Sequence, residues 1–283
     1  MANRNLPAKP NVFRIRDFAY PEGLRLAVNF TVDFDAMLNR RLQNEPVMEL
    51  SQGEFGGRVG VWRLLELFDR HGIKATFFTP GRICELYPRS LEAVAGRGHE
   101  VANHMWEHRV PDDPQQEWDH LTKTTKAIEG LCGKQPVGTR SGHGIAALVK
   151  DNYVYRSSMS DVADELPYYV VDDDGRSLLA LPVHYSLDDA MYHHFSWYGS
   201  PNEGQPLQDP DAVYRIWSAA FDHFYRTGGY MNIVLHNFVS GRASRVAMLE
   251  RLIVRMKRVP GVWFATCEQV ATHCLERFPL RLQ

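Results

Sequence analysis

From residue 24 to residue 277, short apolar runs alternate with stretches whose apolar residues recur every three or four positions, and this rhythm limits the fold more than any other feature. LRLAVNFTV (24–32), KATFFT (74–79), HEVANH (99–104), PVGTR (136–140), NYVYRSS (152–158), LLALPVHY (178–185), YMNIVLH (230–236) and GVWFAT (261–266) read as strands. Between them, VWRLLELF (61–68) sets Val61, Leu64, Leu65 and Phe68 on one helical face. Residues 82–95, 114–132, 210–227, 244–258 and 267–277 also read as helices, the second of these with a start signal in Asp113 before Pro114. Strands separated by helices pair in parallel, so the pattern predicts an α/β fold. No linker, repeat or charge block interrupts it. We expect an N-terminal arm over 1–23 and a single barrel-like domain over 24–283, with a flat doubly wound sheet as the alternative. No GxGxxG or P-loop pattern points to a nucleotide.

Composition narrows the partners. The net charge of −2 offers no basic patch for nucleic acid or an anionic membrane surface. No apolar run approaches the roughly 18 residues needed to span a bilayer. The first residues are polar and proline-containing, without the apolar stretch of a secretory leader; taking Met1 as the natural start, a cytoplasmic location is expected. Cys84, Cys132, Cys267 and Cys274 form no CxxC pair, so reduced thiols are expected rather than a structural zinc site.

The first strand ends in TVDFDA (31–36). Side chains of a strand alternate faces. Leu24, Leu26, Val28, Phe30, Val32 and Phe34 share one face; Arg25, Ala27, Asn29, Thr31, Asp33 and Asp35 share the other. Two carboxylates on one face repel unless they share a cation or a proton. They also stand at the C-terminal end of a strand, where α/β folds build their sites.

NHMWEH supplies His104 and His108 at the end of another predicted strand. A helix or tight turn brings both rings to one side. One Asp and two His leave open coordination positions, as a hydrolytic metal needs. The same set describes the facial triad of non-haem iron oxygenases, and a metal-free binding protein is a third reading. On YMNIVLH, Tyr230, Asn232, Val234 and His236 share a face, and His236 stands at the strand's C-terminal end as Asp33 does.

Taken in order, TVDFDA, KATFF with its following glycine, GHEVANHMWEH, GTRSGHG, LPVHYSLDD and IVLHNF resemble the motifs of the polysaccharide deacetylase superfamily. The D-x-D spacing resembles its cytoplasmic branch, which includes cyclic-imide-hydrolase-like and allantoinase-like proteins. The resemblance implies a distorted (β/α) barrel with fewer than eight strands. It implies hydrolysis of a non-peptide C–N bond with one divalent metal ion, zinc first, with cobalt, nickel or manganese as alternatives. It further implies Asp35, His104 and His108 as metal ligands, Asp33 as base, His236 as acid and Arg140 as the partner that orients Asp33.

The third motif departs from the family pattern, with Gly142 where proline is usual, followed by His143. Asp161 and Asp164 fall in a segment longer than in related proteins, and Asp188 and Asp189 are assigned either to Arg140 or to solvent. The aromatic MYHHFSWYGS (191–200) reads as a pocket wall or a subunit contact. The expected substrate is a small amide or cyclic imide, or an N-acetyl sugar, with polysaccharide or peptidoglycan N-deacetylation as the alternative. A homodimer or homotetramer is expected.

Overall fold

The computed structural model describes residues 12–38, 47–193 and 207–280. Its strands are β1 (Val12–Arg14), β2 (Leu26–Asp33), β3 (Thr76–Thr79), β4 (Glu100–Asn103), β5 (Gly138–Thr139), β6 (Tyr155–Arg156), β7 (Tyr168–Val171), β8 (Ser177–Ala180), β9 (Tyr230–His236) and β10 (Val262–Phe264). All ten belong to one sheet. Parallel pairing runs β2–β3–β4–β5–β6–β8, and β9 takes the opposite edge of β2. Beyond β8, Asp188 bridges Val234 of β9, so seven parallel strands close into a ring. The β8–β9 seam is thin: the Asp189 N–H donates to the Val234 carbonyl at 3.0 Å.

The period-2 pattern of β2 is realised in full. Leu26, Val28, Phe30, Val32 and Phe34 pack outward against Leu64, Leu65 and Phe68 of helix Val61–His71 and Leu249, Leu252, Ile253 and Met256 of helix Ala243–Lys257. Each such side chain contributes about 1.5–3 kcal/mol by leaving water. The other face points into the ring. There Thr31 Oγ1 donates to the Ile233 carbonyl at 2.9 Å, and Asn29 Nδ2 donates to the Ala265 carbonyl.

The lower end of the ring is plugged. Tyr155 is fully buried, and its hydroxyl donates to Glu100 Oε1 at 2.6 Å. A side chain at Gly138 would overlap the Tyr155 ring, so glycine is what admits the plug. The ring is therefore a filled core whose open chemistry is confined to its upper end.

The structure differs from the sequence reading in three places. The expected helix over 82–95 divides into Ile83–Leu86 and Pro88–Gly96, because Pro88 carries no N–H to continue the first helix and opens the second. The ring has fewer than eight strands, but the whole sheet has ten: β7 pairs antiparallel with both β8 and β1, and β1 begins within the expected arm at residue 12. The strands expected over 152–158 and 178–185 pair over shorter spans, Tyr155–Arg156 and Ser177–Ala180. Among the described residues no helix is long and apolar enough to cross a membrane. Of the segment 191–200, residues 194–200 lie outside the described residues.

Candidate active site

Asp33, Asp35, His104, His108, Arg140 and His236 come together at the C-terminal ends of β2, β4, β5 and β9. Asp35 stands two residues past the end of β2. Asp35 Oδ1 lies 3.4 Å from His104 Nε2, and Asp35 Oδ2 lies 3.6 Å from His108 Nε2. The two imidazoles meet edge to face with centroids 4.7 Å apart.

The H-x3-H spacing works through a tight turn rather than a helix. Met105 and His108 adopt left-handed backbone, with φ of 68° and 58°, and Ala36 beside Asp35 has φ of 47°. Such conformations are costly for residues with a side chain, and they persist where surrounding structure enforces them. Asn103 enforces this one: its Oδ1 accepts the Met105 N–H at 2.7 Å while its Nδ2 donates to the Tyr153 hydroxyl at 2.7 Å. The Gly81 and Arg82 N–H groups donate to the Met105 and Trp106 carbonyls. Gly81 sits so close to the Trp106 ring and the Thr124 backbone that a Cβ would clash with both.

Asp35 Oδ1 and His104 Nε2 are buried without a hydrogen-bond partner. Leaving such groups unpaired is expensive, and a divalent cation resolves it. His104 Nδ1 is engaged by the Arg140 carbonyl, which directs Nε2 toward Asp35. Burial holds the His104 imidazole below its usual pKa despite Asp33 and Asp35, so the neutral, lone-pair-bearing form that a metal ligand requires is favoured. The donor set of one carboxylate and two imidazoles fits a zinc-class ion. A second grouping, Asp188, Asp189 and His236, also converges. Its carboxylates accept hydrogen bonds from protein groups, and none of its atoms is left buried and unpaired, so it lacks the signature of the first.

Asp33 stands between the two groups. Arg140 Nη1 donates to its Oδ1 at 2.5 Å. The guanidinium is fixed in turn: Nε donates to the Ser157 carbonyl at 2.9 Å, Nη2 to Thr31 Oγ1 at 3.0 Å, and the plane lies 4.1 Å over the Phe78 ring. Asp33 Oδ2 lies 3.8 Å from His104 Nε2 and 3.9 Å from His236 Nε2. Burial pushes the Asp33 carboxyl up, but Arg140, His104 and His236 outweigh it and hold it below the usual carboxylate range.

His236 is clamped from behind. Asp189 Oδ1 pairs with its Nδ1 at 2.8 Å, and Asp189 Oδ2 accepts the His236 N–H at 2.9 Å and the Ser240 hydroxyl. Burial disfavours the imidazolium, yet Asp189, Asp188 and Asp33 raise its pKa well above the usual value. Burial pushes the Asp188 carboxyl up to about 7, with His236 pulling it down and Asp189 pushing it up. Asp188 and Asp189 thus face His236, neither Arg140 nor solvent. Of the other unassigned groups, His143 pairs with Glu117 at 3.0 Å, Asp161 with Arg156 at 2.6 Å and Asp164 with Arg14 at 2.5 Å, so none of the three joins the cluster.

Residues 54–170 match the polysaccharide deacetylase family profile. The chain is 29% identical to the peptidoglycan deacetylase of Helicobacter pylori over 289 residues, 90% of this chain and 98% of that one. A crystal structure from Mycobacterium smegmatis assigned to the polysaccharide deacetylases superposes with a TM-score of 0.83 at 29% identity, covering 94% of this chain and 96% of the other. Profile, sequence and fold together support its membership of the polysaccharide deacetylase superfamily. Membership in the superfamily makes it a hydrolase of non-peptide carbon–nitrogen bonds, of the deacetylase type. The structure of an allantoinase shares the superfamily fold at a TM-score of 0.81 and 24% identity, covering 93% and 94% of the two chains.

Sequence reasoning missed the specific jobs of Asp189 and Asn103. The signal for Asp189 was the acidic pair after β8; which of the two turns inward depends on the bridge to Val234, a contact made by residues 46 positions away along the chain. Asn103 preceding His104 was visible but carried no distinguishing pattern.

Proposed function

We propose that this chain is a metal-dependent amidohydrolase acting on a small amide or cyclic imide, or on an N-acetyl sugar. The observation that carries the reading is Asp33 Oδ2, which faces the candidate metal ligand His104 on one side and the candidate acid His236 on the other, at 3.8 and 3.9 Å. Asp35, His104 and His108 would hold the cation, zinc by preference and cobalt, nickel or manganese as alternatives. Such an ion, when bound, polarises an amide carbonyl and acidifies water.

The chain's own residues then divide the proton work. Asp33, ionised at neutral pH, accepts the proton of the attacking water, and Arg140 keeps its carboxylate in one orientation. His236, cationic, presents Nε2 toward the leaving nitrogen and donates to it, so the C–N bond breaks to give a neutral amine and a carboxylic acid, whose proton returns to His236 as the carboxylate forms. Asp189 engages Nδ1 and thereby aims Nε2. The two groups start in opposite protonation states because their surroundings push their pKa values apart. A non-haem iron oxygenase leaves both the Arg140–Asp33 and the Asp189–His236 pairs without a role, which is why hydrolysis is favoured. Deacetylation of peptidoglycan or another polysaccharide is the alternative within the class, supported by the Helicobacter pylori relative. Homo-oligomerisation is part of the proposal: Val12 and Phe13 are exposed on the edge strand β1, and light scattering reads the state.

The test is a panel of cyclic imides, ureides and N-acetyl sugars, followed by product mass, with zinc, cobalt and manganese supplied in turn. Turnover of at least one amide by the wild type is expected, with an inactive Asp33→Asn variant that still binds one equivalent of metal. Full activity in Asp33→Asn would remove the proposed base.

A further inference from the structure

Beside His236 lies a cavity of about 280 Å³ that the proton-transfer scheme does not use. Its walls include His193, Leu207, Phe238, Val239, Arg242 and Arg245. The Phe238 ring is 5.8 Å from the His236 ring, and the His193 N–H donates to the Asp189 carbonyl at 3.0 Å, so two residues of the cavity's wall touch the candidate acid and its clamp.

Three observations describe its chemistry. His193 is only 5% exposed, and neither ring nitrogen has a hydrogen-bond partner among the described residues. Two arginines line the same space; neither lies within ion-pair distance of a carboxylate of a described residue, although the charge of Asp189 acts on Arg245. Arg242 stacks 3.6 Å over the Phe55 ring, with Arg63 as a like-charged neighbour, and Arg245 Nη1 donates to the Val239 carbonyl, so both are held in place. Helix Ala243–Lys257 starts here with Arg242 at its N-cap, without a capping side chain or an acidic residue in its first turn. Burial holds the His193 imidazole down at about 4, with Arg245 acting in the same direction, so at neutral pH the ring serves as a neutral donor rather than a third cation.

Two arginines out of ion-pair distance of any described carboxylate, with Asp189 as the acidic group acting on Arg245, stand next to a buried imidazole with no described partner and make a receptor for an anion. We propose that this cavity holds an anionic substituent, a carboxylate or phosphate, on the substrate whose amide is cleaved beside it, so that acidic amides are the preferred substrate class. This rests on the amidohydrolase reading for its consequence but not for the binding itself.

The experiment uses the zinc-loaded full chain with two substrates, an N-acetyl hexosamine bearing a carboxylate and the same compound as its methyl ester, alongside titration of inorganic phosphate followed by the ring ¹⁵N signals of His193. The wild type is expected to show at least a tenfold higher kcat/KM for the acid than for the ester, mainly through KM. Arg242→Gln and Arg245→Gln are expected to abolish that preference and leave ester turnover within about twofold, with Arg245→Lys restoring most of it. Phosphate is expected to shift the His193 signals in the wild type and in Arg245→Lys, and to do so at least tenfold more weakly in the glutamine variants, which also controls for binding at the metal. Equal losses on acid and ester, or a phosphate response indifferent to both arginines, overturns the proposal. Phosphate inhibition of the ester without preference for the acid also overturns it, since the cavity then serves a free anion. If neither substrate is cleaved while the arginine-dependent phosphate response persists, the anion site stands and the amidohydrolase reading is what fails.

Discussion

Two buried carboxylates, Glu100 at the floor of the ring and Asp33 at its upper end, have opposite surroundings. Glu100 accepts from three neutral donors: the Tyr155 hydroxyl at 2.6 Å, Thr76 Oγ1 at 2.7 Å and the Glu268 N–H at 2.9 Å. Burial dominates there, and the Glu100 carboxyl is held above its usual range. Asp33 has one strong cationic partner and a second oxygen to which no described residue donates, turned toward two imidazoles. Complete satisfaction by neutral groups makes Glu100 a structural tie. Incomplete satisfaction among charges suits Asp33 to the proton-accepting role proposed for it.

The largest expected effect falls on Asp33. Asp33→Asn should lower kcat by about 10³-fold, roughly 4 kcal/mol of barrier, with metal content and unfolding midpoint little changed. Steady-state kinetics with elemental analysis checks this, and a coordinated loss of metal would instead make Asp33 a ligand. Glu100→Ala should do the reverse. Stranding three buried donors around a cavity should destabilise the fold by about 3 kcal/mol in urea unfolding, while kcat per folded molecule stays within about twofold. A comparable loss of kcat in the folded fraction would erase the contrast between the two ends.

A smaller effect is expected at the clamp. Asp189→Asn removes the main interaction that raises the pKa of His236. An acid is lost as pH rises through its pKa, so the alkaline limb of kcat should move to lower pH, with a loss of about 30-fold at pH 8. An unmoved limb in the pH–rate profile would detach His236 from that limb. The smallest effect concerns pH and stability. With its folded-state pKa raised above the usual 4.5, Glu100 binds more proton folded than unfolded, so wild-type stability should fall as pH rises above 4.5, by at most about 1.4 kcal/mol per unit. Glu100→Gln should flatten that slope, as read by unfolding at pH 4 to 8.

Much of this was legible in the chain. Alternation along β2 places Asp33 and Asp35 on the inner face, and helices 114–132, 210–227 and 267–277 run over the residues that their caps and periodicity mark. These are local signals. What escaped was set by distant partners. β7 reads as loop because its neighbours are β8 and a three-residue strand more than 150 positions earlier. Glu100 sits in HEVANH with nothing to distinguish it; its importance comes from Tyr155, Thr76 and Glu268, which only folding brings near. The H-x3-H pair was visible, but the two left-handed residues that make it a turn were not.

The thin β8–β9 seam has a consequence for exchange with solvent. β2 and β9 are paired over seven residues, whereas across the seam the backbone is joined at the Asp188–Val234 bridge, through the Asp189 N–H. Amide protons along β2 should therefore be among the last to exchange with deuterium, and that of Asp189 among the first within the ring. The residue whose amide closes the seam also grips His236 through its side chain. Each opening of the seam would loosen the imidazole at the same moment, so the exchange rate of one amide reports how often the proposed acid slips out of aim.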